Sequence, residues 1–169
     1  TAATCEDFVR AMEEASGIDL TQFRNWYSVA GTPKIKATIE GDKLVLEQSV
    51  PDTPGQTDKP AMAIPLKLAL FDRATGTHAG ERLELLTERR TEIALAGQAP
   101  VLSINRGFSA PVIVETDRTS DDLAFLSAHD DDPFGRYEAM QQLMLDTLVS
   151  AVASGTADHG PVIAAVRNT

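Results

Sequence analysis

An antiparallel β-sandwich with helices at both ends is the fold class the sequence predicts, and three observations predict it. From Thr32 to Thr116 the apolar residues recur with period 2 rather than 3.6. About seven short strand-like runs follow one another there at roughly ten-residue spacing, separated by turn residues and by no helix. The flanks, residues 1–31 and 117–169, return to helical period. The expected organisation is therefore helical over 1–31, sandwich over 32–116 and helical over 117–169.

In the first flank Thr4 is placed to cap a helix, with Asp7 three residues on in a capping-box position. Phe8, Ala11, Met12 and Ala15 recur at helical spacing until Gly17 stops the helix. A second helix is expected from Leu20 to Ala30, with Leu20, Phe23, Trp26, Tyr27 and Ala30 as its apolar stripe. Gly31 and Pro33 end it. Two short helices carry more apolar surface than they can bury against each other, so they need a larger body to pack on.

In the middle segment Ile35, Ala37 and Ile39 alternate with Lys36, Thr38 and Glu40, which reads as a half-buried strand. Gly41-Asp42 is a two-residue hairpin signal, and Leu44 to Leu46 begin the return strand. The stretch "VPDTPGQTDKPAMA" is a loop, since its three prolines and one glycine forbid regular pairing. Ile64 to Phe71 ("IPLKLALF") is a strand and "DRATGTHAGE" a turn-rich connection. Leu83–Leu86, Thr91–Leu95, Val101–Ile104 and Val112–Glu115 complete the set. Within "INRGFSAPVIV", Gly107 permits an unusual backbone angle, Phe108 is expected to anchor the corner in the core, and Pro111 biases Ala110 toward an extended strand start.

In the last flank Thr119 or Ser120 caps a helix whose first turn holds Asp121 and Asp122. A longer helix begins at Pro133, whose missing N–H costs nothing at the first helical position. Phe134, Tyr137, Met140, Met144, Leu145, Leu148 and Val152 form its expected apolar face, and Gly155 ends it. "GPVIAAVRNT" reads as the start of a further helix.

Composition bounds the function. Of 169 residues, 43% are hydrophobic and 24% charged, ordinary values for a globular protein. The net charge of −10 argues against a nucleic-acid backbone or an anionic membrane surface as partner. No apolar run approaches the roughly 20 residues a spanning helix needs. The single cysteine, Cys5, leaves no internal disulfide and fits a reducing, cytoplasmic setting.

The chain offers little chemistry. There is no H-E-x-x-H, and none of His78, His129 and His159 has a second histidine at helical ligand spacing. All three read as exposed loop or helix-end residues, and Cys5 reads as a free thiol on a helix. Ser109 lies outside any G-x-S-x-G elbow and reads as structural. Asp130-Asp131-Asp132 lacks the spacing of a calcium loop and reads as a helix cap. Phe23, Trp26 and Tyr27 read as packing rather than a stacking platform. Arg10, Arg24, Arg89, Arg90, Arg106, Arg118 and Arg136 are scattered in the sequence and form no evident anion site. The expected set of catalytic, cofactor-binding and metal-binding residues is therefore empty.

Four stretches, in order, resemble one family. "DFVRAMEEASGIDLTQFRNWYSVAGTP" resembles the close of the catalytic domain of bacterial aminopeptidase N. "VPDTPGQTDKPAMAIPLKLALFD" and "LLTERRTEIALAG" with "PVLSINRGFSAPVIV" resemble its small Ig-like β-sandwich, and "DDLAFLSAHDDDPFGRYEAMQQL" resembles the start of its C-terminal helical domain. The resemblance implies a piece of a zinc metallopeptidase that removes N-terminal residues from peptides. In that family two His of H-E-x-x-H and a downstream Glu hold the zinc, a Glu is general base and a Tyr stabilises the intermediate. Those motifs lie before the matched region, so no residue here inherits a role. The implied reading is a non-catalytic linker, inactive alone and without its own cofactor, whose partners are the catalytic and helical domains of a longer chain. The parent enzyme would act on peptides.

Two other readings stand beside it. One is a free-standing Ig-like protein-binding module using "PDTPGQTDKP" and "DRATGTHAGE". The other is a small enzyme built on Glu138 or His129 with the acidic run.

Overall fold

A computed structural model describes residues 2–95, 100–155 and 159–167. It holds eight strands in two sheets with helices at both ends. Helix α1 (Cys5–Ser16) begins with the expected capping box, in which Thr4 Oγ1 accepts from the Asp7 N–H and Asp7 Oδ2 accepts from the Thr4 N–H. It stops at Gly17 in the left-handed conformation.

The second expected helix is far shorter than Leu20–Ala30. Only α2 (Asn25–Ser28) is helical, and the turn before it is closed by the N–H groups of Asn25, Trp26 and Tyr27 donating three residues back. Residue type explains part of this, because Thr, Phe, Asn, Trp, Tyr and Ser are middling helix formers. Side chains explain the rest. Gln22 and Asn25 amides donate to Ala61 O, and Trp26 Nε1 donates to Ala63 O at 2.8 Å. These bonds pin the segment to the chain entering the third strand, and Trp26 packs on the sandwich core.

The first sheet contains β1 (Lys34–Glu40), β2 (Lys43–Ser49), β6 (Arg90–Ala94) and β8 (Ile113–Thr116), in the order β6-β2-β1-β8. The β1–β2 hairpin turns on Gly41-Asp42 as the sequence implies, with Glu40 opposite Lys43 and Gly41 at φ 63°. The other pairs are antiparallel, but β8 runs parallel to β1. That departs from the purely antiparallel expectation. The chain crosses from β7 through the turn after Ile104 and so enters β8 in the same direction as β1.

The second sheet is built on β3 (Ile64–Asp72). Leu68 pairs with Arg82 on one side and Ile104 on the other, so β5 (Arg82–Leu86) and β7 (Val101–Ile104) flank β3. The two-residue β4 (Thr77–His78), absent from the expected seven strands, pairs with Phe71 and Asp72. Its register differs from that of β5 by one residue, so β4 and β5 are one strand broken by a bulge.

Both faces of β3 are used. Ile64, Leu66 and Leu68 enter the core between the sheets with Ile35, Leu44 and Leu46. Ala69 and Phe71 point the other way, into a second cluster with Leu123, Leu126, Ala139, Leu143 and Ala165. A strand covered on two faces explains the nearly unbroken apolar run "LALF".

The helices of that second cluster are α3 (Ser120–His129), α4 (Pro133–Ser154) and α5 (Gly160–Arg167). Helix α3 carries a capping box from Thr119 and Asp122, and α4 ends on Gly155. The face of α4 that packs is not the expected one. Gly135, Ala139 and Leu143 are buried, while Tyr137, Leu145, Leu148 and Val152 are exposed, Val152 by 87%. Small residues at i and i+4 let two backbones approach closely, so the line of contact runs along them and strands the bulky side chains outside. Among the described residues no helix is long and apolar enough to cross a membrane.

Candidate functional site

Polar side chains converge where the sandwich meets the C-terminal helices. The turn Arg106–Phe108 leaves β7 with Asn105, Gly107 and Phe108 all at positive φ, 58°, 59° and 52°. Asn is one of the few residues that tolerates this, and its side chain rewards it. Asn105 Oδ1 accepts from the Ala110 N–H at 3.0 Å and the Ser109 hydroxyl at 3.2 Å. Ser109 Oγ in turn accepts from the Lys67 N–H at 2.9 Å, so its role is to hold the turn against β3.

This turn reaches the acidic run that starts α4. Asp132 Oδ2 accepts from the Gly135 N–H, as a helix cap does, and also from the Gly107 N–H at 2.9 Å. One carboxylate oxygen therefore ties the turn to the helix. Asp130, with a fully buried side chain, accepts from the Ser103 hydroxyl and from the Asp132 N–H. Arg106, 3% exposed, stands between Asp130 and Asp131, with Glu81 near its Nε and the Phe71 ring 5.9 Å from its guanidinium carbon. Its Nε and Nη1 make no hydrogen bond among the described residues.

The Arg106 hydrogen bond and charge hold the Asp131 carboxyl below its usual range, helped by His78. His78 bridges Asp131 at 3.0 Å, and the Gly80 N–H donates to its Nδ1. That places the proton of the neutral ring on Nε2, facing the carboxylate.

A second polar joint fastens the N-terminal helices. Arg24 forks onto Glu6 and Glu13, and Glu13 also accepts from the Leu20 N–H. The Arg24 contacts draw the Glu13 carboxyl down to about 2. Lys59 is buried and donates to Ala30 O, Pro51 O and Thr53 Oγ1 at 2.6 to 2.8 Å. Three acceptors satisfy its three donors, so it welds the start of the sandwich to its longest loop.

Several expectations change here. The acidic run does more than cap: only Asp132 caps α4, while Asp130 and Asp131 receive Arg106. His78 is half-buried against Phe71, with ring centroids 4.7 Å apart, rather than exposed in a loop. His129 is exposed at the end of α3, as expected, with its ring tilted against Phe125. Phe108 is not a core anchor; it is 55% exposed and leans on Phe134. Arg24 and Arg106 are scattered in sequence but each sits in an acidic cluster. Cys5 is a free, exposed thiol. Sequence reasoning missed Arg106, Asn105 and Lys59, although an isolated arginine beside Asn and Gly and ahead of three aspartates is a visible signal.

Among the described residues no group of three or more His, Cys, Asp or Glu is placed to hold a metal ion. The donor set therefore does not fit the zinc that the resemblance implies for a parent enzyme. What the arrangement can do is fix the angle between a sandwich and helices.

Known proteins place the chain. The model of the family described as "Domain of unknown function (DUF3458) Ig-like fold" matches residues 31–117. A second, described as "Domain of unknown function (DUF3458_C) ARM repeats", matches residues 120–169. Aminopeptidase N of Haemophilus influenzae is 39% identical over 163 residues, which is 87% of this chain and 19% of that protein. Aminopeptidase N of Escherichia coli is 34% identical over 161 residues, 85% of this chain and 18% of that protein. That of Caulobacter vibrioides is 35% identical over 171 residues, 94% and 19% respectively. The chain thus spans about a fifth of the length of the relatives it matches. A crystal structure of Legionella pneumophila aminopeptidase A in complex with aspartic acid superposes with a TM-score of 0.81 at 24% identity, over 98% of this chain and 20% of that one. At that identity the likeness establishes the fold.

Proposed function

From the premise that the chain belongs to the DUF3458 family of Ig-like domains, we propose that it is the non-catalytic linker of a zinc-dependent aminopeptidase N. The likeness in one order to three aminopeptidases N, over 85 to 94% of the chain, carries this reading. In it residues 1–31 close a catalytic domain, 32–116 form the spacer and 117–169 begin a helical repeat domain. The peptidase zinc and its ligands belong to another part of the parent chain, and the parent works on peptides in the cytoplasm, without nucleic-acid or membrane partners.

The physical role of the spacer follows from its two joints. A sandwich is stiff, and buried polar ties at both ends, the Arg106–Asp130 ion pair at one and the Lys59 hydrogen bonds at the other, transmit that stiffness to the helices on either side. The exposed apolar residues of α4 support the same reading. Helical repeats bury their faces only against the next repeat, so a first repeat carries an unpaired apolar face.

Incubating the purified chain with an alanyl chromogenic substrate and added zinc tests the proposal. The expected result is no turnover above the zinc-only control. Zinc-dependent release of the chromophore, lost on chelation, would overturn the assignment as non-catalytic.

A further inference from the structure

Strand β8 is an edge, and its open side lines a groove. The Ile113 N–H donates to Pro33 O at 2.9 Å, which sets the parallel register with β1. Alternation then turns the N–H and C=O of Val114 away from β1, and among the described residues no strand pairs with that side. Helix α4 runs opposite. Between them lie two adjoining cavities of about 230 and 270 Å³ that share Val114, Arg118 and Gln142.

Arg118 is the unusual member of this groove. Its Nε donates to Thr116 Oγ1 at 2.9 Å, but the forked end has no ion-pair partner among the described residues. Glu138, Asp122 and Asp130 act on it through space without closing to contact. Burial pushes its guanidinium below the ordinary arginine range. A largely desolvated guanidinium with an unoccupied fork selects a planar carboxylate, which accepts two parallel N–H bonds. The first cavity continues from it over Phe108, Val112 and Phe134.

We propose that this groove binds the carboxylate end of an extended peptide, with the carboxylate on Arg118 and the backbone added to the free edge of β8. An extended backbone satisfies the outward groups of Val114, and an apolar terminal side chain covers Phe108 and Phe134. Glu138 lies across the groove and weakens the attraction, so neutralising it strengthens binding. The site is independent of the linker reading and of any catalytic zinc.

The test is fluorescence anisotropy with the 169-residue chain and an N-terminally labelled pentapeptide ending in leucine, as free acid and as C-terminal amide. The free acid is expected to bind about tenfold or more tightly than the amide, as one charge-assisted carboxylate contact implies. Arg118→Gln should erase that difference, Glu138→Gln should tighten the acid, and Val114→Pro should weaken both forms. Proline there removes only the outward N–H and is compatible with an edge strand. Equal binding of acid and amide to the unaltered chain overturns the proposal, and needs no variant to fold. So does the absence of binding at millimolar peptide, or free leucine competing as well as the whole peptide.

Discussion

Replacing Arg106 by methionine should unlatch the helices from the sandwich, and the structure sets the size of the effect. Two of its three acids, Asp130 and Asp131, differ sharply in burial. The Asp131 side chain is 65% exposed, so losing its partner returns it to water at a cost of at most about 1 kcal/mol. The Asp130 side chain is 0% exposed and cannot be rehydrated in place. Removing one partner of a buried pair costs about 3–5 kcal/mol. Asp130 keeps the Ser103 hydroxyl and the Asp132 N–H, which puts the loss near the low end, about 3 kcal/mol. With a urea slope of about 2 kcal/mol/M, the midpoint falls by roughly 1.5 M.

Two probes follow the melt separately. Trp26 fluorescence reports the sandwich, and far-ultraviolet circular dichroism is dominated by the helices. In Arg106→Met the helical transition should precede the fluorescence transition, whereas the unaltered chain should show one. Adding Asp130→Asn should recover about 1 kcal/mol, because no buried charge remains and the amide oxygen still accepts from Ser103, while its NH2 can no longer accept from the Asp132 N–H. A midpoint shift under about 0.5 M for Arg106→Met refutes the latch. So does a double variant whose loss equals the sum of the single losses.

Gly135→Ala should destabilise the chain by about 2 kcal/mol despite alanine's higher helix propensity, because overpacking outweighs that gain. A methyl there would sit 2.5 Å from Asp130 Oδ2, and that carboxylate is held by Ser103 and cannot retreat. Thermal melting checks it, and a neutral or stabilising outcome would show that the joint is loose. Acid should undo the N-terminal joint through Glu13. Its carboxyl is depressed from 4.5 to about 2, so the stability it contributes is present above pH 4.5 and is lost as pH falls toward 2. Arg24→Gln should move that loss upward toward pH 4.5, read as helix ellipticity in an acid titration. An unchanged titration would remove Arg24 from the joint.

What the sequence shows and hides follows the range of each interaction. Thr4 with Asp7, Thr119 with Asp122, and Asp132 with the Gly135 N–H span three residues, so capping chemistry reveals them without a fold. The Gly41-Asp42 hairpin is equally local. The Arg106 joint is not. Its acids lie at positions 81, 130 and 131, and only the pairing of β7 with β3 and the docking of the helices bring them together. The apolar period of α4 points to the wrong face for a related reason. It weighs apolar bulk, whereas the helix docks along Gly135 and Ala139, where bulk is absent.

That docking and the Arg106 latch are the same event. The glycine lets the α4 backbone reach the Ser103–Asp130 pair, and only at that distance can Asp132 accept from both its own helix and the Gly107 N–H. The latch in turn requires a turn with three residues at positive φ, which Asn105 and Gly107 allow and Phe108 tolerates. Apolar contacts are non-directional and do not by themselves fix how far α4 advances along α3 and the turn after β7. Hydrogen bonds with fixed donors and acceptors admit one register. The sandwich core supplies stability and the polar joint supplies the angle. Arg106 and Asp130 are buried where the sandwich meets the helices, so the bonds that set the angle are shielded from water.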